Sequence, residues 1–255
     1  MKRFLTAAAL IPVVVWVVLF ANIWVFIGVV ALVSCLSYFE YDGIAAAYGF
    51  GRPGLLGYLG GLLFLLPGKE IWLLPVGMAI LALTIVMRSE DLAKALPRAA
   101  LLALGVVYIF GCWRCAIPLR EFNAHFLMYA LIVSWAGDIG AYFVGRKFGR
   151  HKLAPRVSPN KSWEGAVASV AASVVLAGGY LLYFVPGVSV LEAVAISIAA
   201  NVAGQFGDLA ESAIKRGAGV KDSGTMLPGH GGFLDRVDST LFVLPVVYAG
   251  TLLFR

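Results

Sequence analysis

Charge is what this chain has least of. Asp, Glu, Lys and Arg make up 13% of its 255 residues, about half the share found in a soluble globular domain. Hydrophobic residues make up 61%, and the mean hydropathy is +0.89. That balance excludes an ordinary water-soluble domain. Cysteine is scarce as well: Cys35, Cys112 and Cys115 are too few for a disulfide framework. The Cys112/Cys115 pair lacks both the βαβ pattern of a thiol oxidoreductase and a second pair for zinc. The three histidines, His125, His151 and His230, stand at no zinc-ligand spacing. No repeat of fixed period and no low-complexity linker interrupts the sequence, which argues against a solenoid or a string of tethered modules. Basic residues are not interleaved with aromatics on a soluble module, so no nucleic-acid partner is expected.

What the chain has instead is hydrocarbon in long runs. Leu5 to Phe20 and Ile23 to Tyr38 are parted only by Ala21-Asn22, and similar runs recur to the C-terminus. A helix needs about 20 apolar residues to cross the hydrocarbon core. The expected spans are roughly 4–20, 23–40, 54–67, 70–87, 99–118, 124–145, 164–185, 189–212 and 239–254. The 54–67 run is the weakest, being short and carrying Gly57, Gly60 and Gly61. The sequence therefore predicts an all-α, polytopic integral membrane protein of about nine transmembrane helices, organised as a single membrane domain over residues 1–255. Met1-Lys2-Arg3 and the run behind it have the start of a signal peptide. The run passes almost directly into another span without a small-residue cleavage site, so an uncleaved first helix is expected.

Short cytoplasmic loops are enriched in Lys and Arg. Placing the N-terminus in the cytoplasm assigns 16 of the 20 Lys and Arg to that side, leaving Lys69, Arg114, Arg120 and Arg255 on the other. The cluster from Arg146 to Lys161 and the basic stretch after residue 212 are separated by two spans, so they share a side in either orientation. The expectation is a protein of the cell (inner or plasma) membrane, with membrane lipids around it and its basic face toward the cytoplasm.

Against this background Ser212 to Asp238 stands out, because ionisable groups beside or within spans are costly and default to function. It holds Lys215, Arg216, Lys221, Asp222, His230, Asp235, Arg236 and Asp238 on a glycine-rich backbone. Asp208, Glu211, Ser212 and Lys215 are spaced i, i+3, i+4, i+7 and share one helical face, as do Asp235 and Asp238 at i, i+3. Carboxylate oxygens suit a hard cation such as Mg²⁺ that shares its sphere with substrate phosphates. The structural alternative is that Asp208 and Asp235 simply pair with Lys215 and Arg236. Pro228-Gly229-His230-Gly231-Gly232 is a turn whose amides can approach an anion closely. His230 there suits a metal ligand, a proton donor or a donor to phosphate.

A second group lies upstream. Asp138 sits in the apolar stretch Val133 to Val144, where a charge must face protein or water. Ser158-Pro159-Asn160-Lys161-Ser162 follows, with Ser162 placed to cap the next span and Lys161 beside that helix's positive end. A helix N-terminus with an adjacent lysine and hydroxyls is suited to phosphate.

These residues carry a resemblance. S-x-x-K-R from Ser212, four residues, K-D at Lys221-Asp222, then L-P-x-H-G-G-x-x-D-R-x-D to Asp238 resembles the signature of the phosphatidate cytidylyltransferases (CDP-diacylglycerol synthases). Asp138 to Tyr142, Gly145-Arg146 and Ser158 to Gly165 are also similar to that family, with one departure at Asn160, where relatives often carry a second lysine. The resemblance covers most of the chain and is strongest after residue 130. It implies that residues 1–130 are N-terminal spans and 131–255 the catalytic portion. The implied reaction turns CTP and phosphatidate held in the bilayer into CDP-diacylglycerol and pyrophosphate. Asp208, Asp235, Asp238 and Asp222 would be the metal ligands for Mg²⁺, with or without a second cation. Lys215, Arg216, Lys221, His230 and Arg236 would act on phosphates and the leaving group. Ser158, Lys161, Ser162 and Asp138 would bind substrate. Small-residue spacings such as Gly145 to Gly149 and Gly178-Gly179 also permit close helix packing, a homodimer included. A transporter would place its charges nearer the midplane between inverted repeats. A CDP-alcohol phosphotransferase would need an arginine where Asp42-Gly43-Ile44-Ala45-Ala46 is followed by Ala47.

Overall fold

The computed structural model describes residues 2–66, 73–87, 91–226 and 231–253. They form a succession of apolar helices: α1 (Lys2–Leu19), α2 (Ile23–Ala47), α3 (Gly54–Phe64), α4 (Leu73–Val86), α5 (Leu92–Phe122), α6 (Ala124–Phe148), α7 (Trp163–Phe184), α8 (Val190–Gly217) and α9 (Asp238–Leu253). All-α is the correct class. Among the described residues, five of these, α2, α5, α6, α7 and α8, are long and apolar enough to cross a membrane. The others contribute shorter apolar stretches, Leu10–Leu19, Gly54–Phe64, Leu73–Ile85 and Asp238–Leu253. Large apolar side chains such as Trp24, Leu55, Ile80, Val175 and Leu191 point outward from these helices, as lipid-facing residues do.

Helix ends follow local chemistry. Asn123 breaks the chain between α5 and α6 in an extended conformation, and its side chain accepts from the His125 amide at 2.9 Å. Ser189 and Glu192 form a reciprocal capping box at the start of α8, at 2.7 and 3.2 Å. Gly219, at φ +74°, turns the chain out of α8 as its amide bonds to Arg216 O. α5 and α7 each contain a π-helical turn, Val106–Gly111 and Val174–Gly178.

One element was not anticipated. Residues read as loop form an antiparallel hairpin, β1 (Lys152–Ala154) and β2 (Ser158–Ser162), pairing Lys152 with Ser162 and Ala154 with Ser158. Pro155 sits in the turn, closed by Val157 N–H to Ala154 O at 3.2 Å, and proline presets the turn's φ. Strands this short leave no alternating pattern to read.

The chain divides into two compact units. The first comprises Met1–Phe26, Cys115–Ala213 and Val237–Arg255. Within it α6 and α7 approach through small residues: a Cβ on Gly140 would lie 2.7 Å from Ala168 O, and one on Gly145 3.6 Å from Gly165 Cα. The close packing expected of Gly145 is thus made within one chain. The second unit comprises Ile27–Arg114 and Ile214–Arg236. Its core stacks Tyr38 with Tyr41 and Phe110, ring centroids 6.0 and 5.5 Å apart. Glycines of α3 and α5 admit these rings, since a Cβ on Gly57, Gly61 or Gly105 would overlap Tyr38, Phe110 or Tyr41.

Two arginines close helix ends. In the first unit Arg120 donates to Val18 O at 2.8 Å and to Ala21 O, and lies 4.8 Å over the Phe26 ring. In the second, buried Arg114 donates to Phe64 O at 2.8 Å and to Leu66 O. Carbonyls at a helix C-terminus have no intrahelical partner. Both arginines therefore answer a backbone need.

Candidate active site

The first unit contains a cavity of about 610 Å³. α6 contributes Asp138 and Arg146 to its lining, β2 contributes Asn160, Lys161 and Ser162, and α8 contributes Asp208. The length of β2 and the capping of α7 set this arrangement. Ser162 is buried, and its Oγ accepts from the Gly165 amide at 3.2 Å, making it the N-cap foreseen from the sequence. Glu164, in the first turn of α7, accepts from the amides of Arg150 and His151 and meets the His151 ring at 2.6 Å, which ties the hairpin to the helix. Lys161 is thereby presented at the positive end of α7. Its Nζ lies 2.6 Å from Asp208 Oδ2, with both side chains about one-quarter to one-third exposed. The upstream and downstream motifs meet in this ion pair.

Beneath the pair the cavity wall is a ladder of neutral polar groups. Gln205 donates to Asn201 Oδ1 at 2.7 Å and to Ala166 O at 3.1 Å. Asn201 donates to Ser173 and Ser169 at 2.8 and 3.0 Å, and Ser173 donates to Val133 O at 2.9 Å. Each of these four side chains has a partner, as burial among apolar helices demands.

Asp238 opens α9. At Gly207 α8 and α9 pack closely, and a Cβ there would fall 2.7 Å from Asp238 O. The electrostatic neighbours of Asp238 are Asp208, Glu211 and Asp138, all of its own sign. An all-oxygen donor set of this kind fits a hard divalent cation in type. Among the described residues, no three His, Cys, Asp or Glu side chains are already gathered around one point. Mg²⁺ does not require that, since it commonly takes one or two carboxylates and completes its octahedron with waters and substrate phosphates.

The second unit holds the middle of the downstream motif, and there the polar groups turn toward one another. Lys215 is buried, and its Nζ donates to Asp235 Oδ1. Asp235 also accepts from the Ser223 amide at 3.1 Å and the Gly232 amide at 2.8 Å. Burial by itself would raise the Asp235 carboxyl; the Lys215 ammonium and the two amides outweigh it and hold the group below the usual carboxylate range. Glu40 of α2 is 2% exposed and accepts from Ser223 Oγ at 2.7 Å, Phe233 N at 2.9 Å and Leu234 N at 2.8 Å. Of the glycine-rich turn expected at 228–232, the Gly232 amide meets the chain's own Asp235 carboxylate, while residues 228–230 lie outside the described residues.

Of the residues expected to act, Asp138, Lys161, Ser162 and Asp208 line one cavity. Ser158 pairs with Ala154 at the start of β2 and is not among the lining residues. Lys215, Lys221, Asp222, Asp235, Arg216 and Arg236 belong to the second unit, with Arg216, Lys221, Asp222 and Arg236 exposed at its surface. Of the two pairings weighed for Asp235 and Asp208, Asp235 does pair with Lys215, whereas Asp208 pairs with Lys161. His230 lies outside the described residues. Glu40 and the ladder of Ser169, Ser173, Asn201 and Gln205 were missed. A glutamate inside the apolar run from Ile23, and a polar stripe at i, i+4, i+8 through Ser197, Asn201 and Gln205, were the available signals.

The profile of the Cytidylyltransferase family matches residues 1–254. The phosphatidate cytidylyltransferase of Bacillus subtilis is 38% identical over 207 residues, covering 77% of this chain and 77% of its own length. Those of Staphylococcus saprophyticus and Staphylococcus aureus are 35% and 36% identical, each covering 76% of this chain and 77% of its own length.

Proposed function

The chain belongs to the Cytidylyltransferase family, and from that premise we propose how its residues carry the reaction of its relatives. It is a membrane-embedded nucleotidyltransferase that converts CTP and phosphatidate to CDP-diacylglycerol and pyrophosphate. A phosphate oxygen of phosphatidate forms a bond to the α-phosphorus of CTP, and the bond to the β-phosphate oxygen breaks. A phosphate monoester is already nucleophilic near neutral pH, so the enzyme's task is to bring two anions together and to stabilise charge on the transferring phosphoryl group and the leaving pyrophosphate.

The observation that carries this reading is the Lys161–Asp208 pair within the polar-walled cavity. Lys161, with the amides at the start of α7, receives the triphosphate, and Asp208 keeps the ammonium aimed until it arrives. Ser162 holds the helix end in place, and Asp138 contacts the nucleotide. Asp208 and Asp238 would hold Mg²⁺, alone or with a second cation, and the metal when bound would neutralise phosphate oxygens. Lys215, Arg216, Lys221 and Arg236 clamp phosphates, and His230 assists the departing pyrophosphate. Asp235 and Asp222 complete the acidic set of the motif, with Asp235 directing Lys215. The site opens to the cytoplasm of the cell's plasma membrane, where CTP is dissolved, and the acyl chains of phosphatidate stay in the bilayer.

Purified protein incubated with labelled CTP, phosphatidate and Mg²⁺ should yield lipid-extractable cytidine and one pyrophosphate per cytidine transferred. Release of pyrophosphate without a lipid-bound cytidine would overturn the assignment of phosphatidate as acceptor.

A further inference from the structure

Glu40 lies in the second span, 183 residues from Ser223 and 193 from Phe233, in the half of the chain that carries none of the family motif. A carboxylate enclosed among apolar helices needs partners for both oxygens. Glu40 finds them all in the motif loop. Oε2 accepts from Ser223 Oγ and Leu234 N, and Oε1 accepts from Phe233 N. The backbone is built to admit it: a Cβ on Gly224 would lie 2.5 Å from Oε1, and one on Gly232 would overlap both Oε2 and Ser223 Oγ. The bonds continue outward. Ser223 Oγ accepts from the Asp235 amide at 3.3 Å, the Ser223 amide donates to the Asp235 carboxylate, and that carboxylate receives Lys215.

We infer that Glu40 is a positioning residue for cytidylyl transfer: it staples the two ends of the motif loop, at Ser223 and at Phe233-Leu234, and so sets the geometry of the phosphate-binding cations on either side. Lys221 stands two residues before Ser223 and Arg236 two after Leu234, so fixing these points fixes the backbone from which both project. Lys215 is held through Ser223 and Asp235. Three donors converging on one side chain require an acceptor at both oxygens. Glutamine has the same shape, but its NH₂ would face either the Phe233 amide or the Ser223 and Leu234 donors. The inference rests on the reading of Lys215 and its neighbours as phosphate clamps.

The test measures kcat, the KM for each substrate and thermal stability for the purified full-length protein, assayed well below the melting temperature. Glu40→Gln should lower kcat about 10- to 100-fold, the scale at which misplaced catalytic groups cost rate, with the folded fraction unchanged. Gly232→Ala should reproduce the defect with Glu40 intact, because its methyl group would occupy the place of the carboxylate. Ser223→Ala, which removes one of the three donors, should lose less and serves if Glu40→Gln does not fold. Lys215→Ala, Lys221→Ala and Arg236→Ala test the clamp reading independently: near-normal turnover in all three would overturn the clamp and leave Glu40 with nothing to position. If any of the three is inactive while folded Glu40→Gln turns over normally, the clamp stands and the role of Glu40 is overturned. Full rate at low temperature in Glu40→Gln and Gly232→Ala, with only the melting temperature lowered, would equally reduce Glu40 to a structural residue.

Discussion

The two units spend their charge differently. In the first, Lys161, Asp208, Asp138 and Asp238 stand in or beside a cavity, with Lys161 and Asp208 joined by a partly exposed ion pair and acidic neighbours around Asp238. In the second, Glu40, Ser223, Asp235 and Lys215 satisfy one another through buried bonds. The partly exposed Lys161–Asp208 pair can meet a ligand directly, whereas the internally bonded Glu40, Ser223 and Asp235 fix the place from which Lys215 acts. The same signature of lysines and aspartates thus covers two kinds of work, which residue identity alone does not separate.

The most direct way to break that contrast is Asp208→Asn. On the open side the expected loss is about 10²-fold or more in kcat, the usual scale for a charge that meets the transition state. Melting temperature should barely move, since a partly exposed pair contributes at most about 1 kcal/mol. Turnover against Mg²⁺ concentration and a detergent melt on one preparation decide it; a variant with normal turnover removes Asp208 from the site.

Asp235→Asn should behave otherwise, losing stability together with activity. The buried Lys215 ammonium would lose its opposite charge, a cost of about 3–5 kcal/mol. pH sharpens this. The folded state holds the Asp235 carboxyl below its usual value, so its stabilising contribution is complete above the ordinary carboxylate pKa of about 4 and is lost as pH falls through the lower folded value. Melting temperatures of the wild type should drop across that acid range, and the Asp235→Asn variant should show a shallower drop. Equal slopes would refute the coupling.

Lys161→Ala is a smaller perturbation. Its KM for CTP should rise roughly tenfold, about the effect of losing one charge-assisted hydrogen bond, with the KM for phosphatidate much less affected. A selective change in the lipid KM would reassign the cavity to the other substrate. Smallest of all is Asn201→Ala, which breaks the ladder behind the cavity. Side-chain hydrogen bonds between membrane helices average about 0.6 kcal/mol, so a modest loss of stability with unchanged KM values is expected, measured by the same melts. A large KM change would move Asn201 from wall to ligand.

How much was legible follows from what each feature depends on. Helix positions depend on apolar length, which is local, and the span expected at 124–145 appears as Ala124–Phe148. The cap at Ser162 depends on three neighbouring residues and was also legible. The hairpin was not, because strands of three and five residues are fixed by the Pro155 turn and by the Trp163 amide bonding to His151 O. Neither were the partners of the charges. Lys161 was seen beside a helix end and Asp208 on a helix face, yet 47 residues part them, and only packing brings them to 2.6 Å. Glu40 was hidden by its surroundings: an acid in a span is a strong signal, but with Asp42 close by and no motif around them nothing pointed to Ser223.

The arginines that close helix ends also bear on how the chain is made. Val18 and Ala21 receive their donor from a residue 102 and 99 positions later, and Phe64 and Leu66 from one 50 and 48 positions later. At a synthesis rate of roughly 5–20 residues per second, the end of α1 waits about 5–20 s for Arg120, and the end of α3 about 2–10 s for Arg114. Through that interval the nascent protein carries open carbonyls at two helix ends. A ribosome that stalls before Arg114 leaves both unmet, and such a fragment displays to the cell's proteases a defect that the finished enzyme never shows.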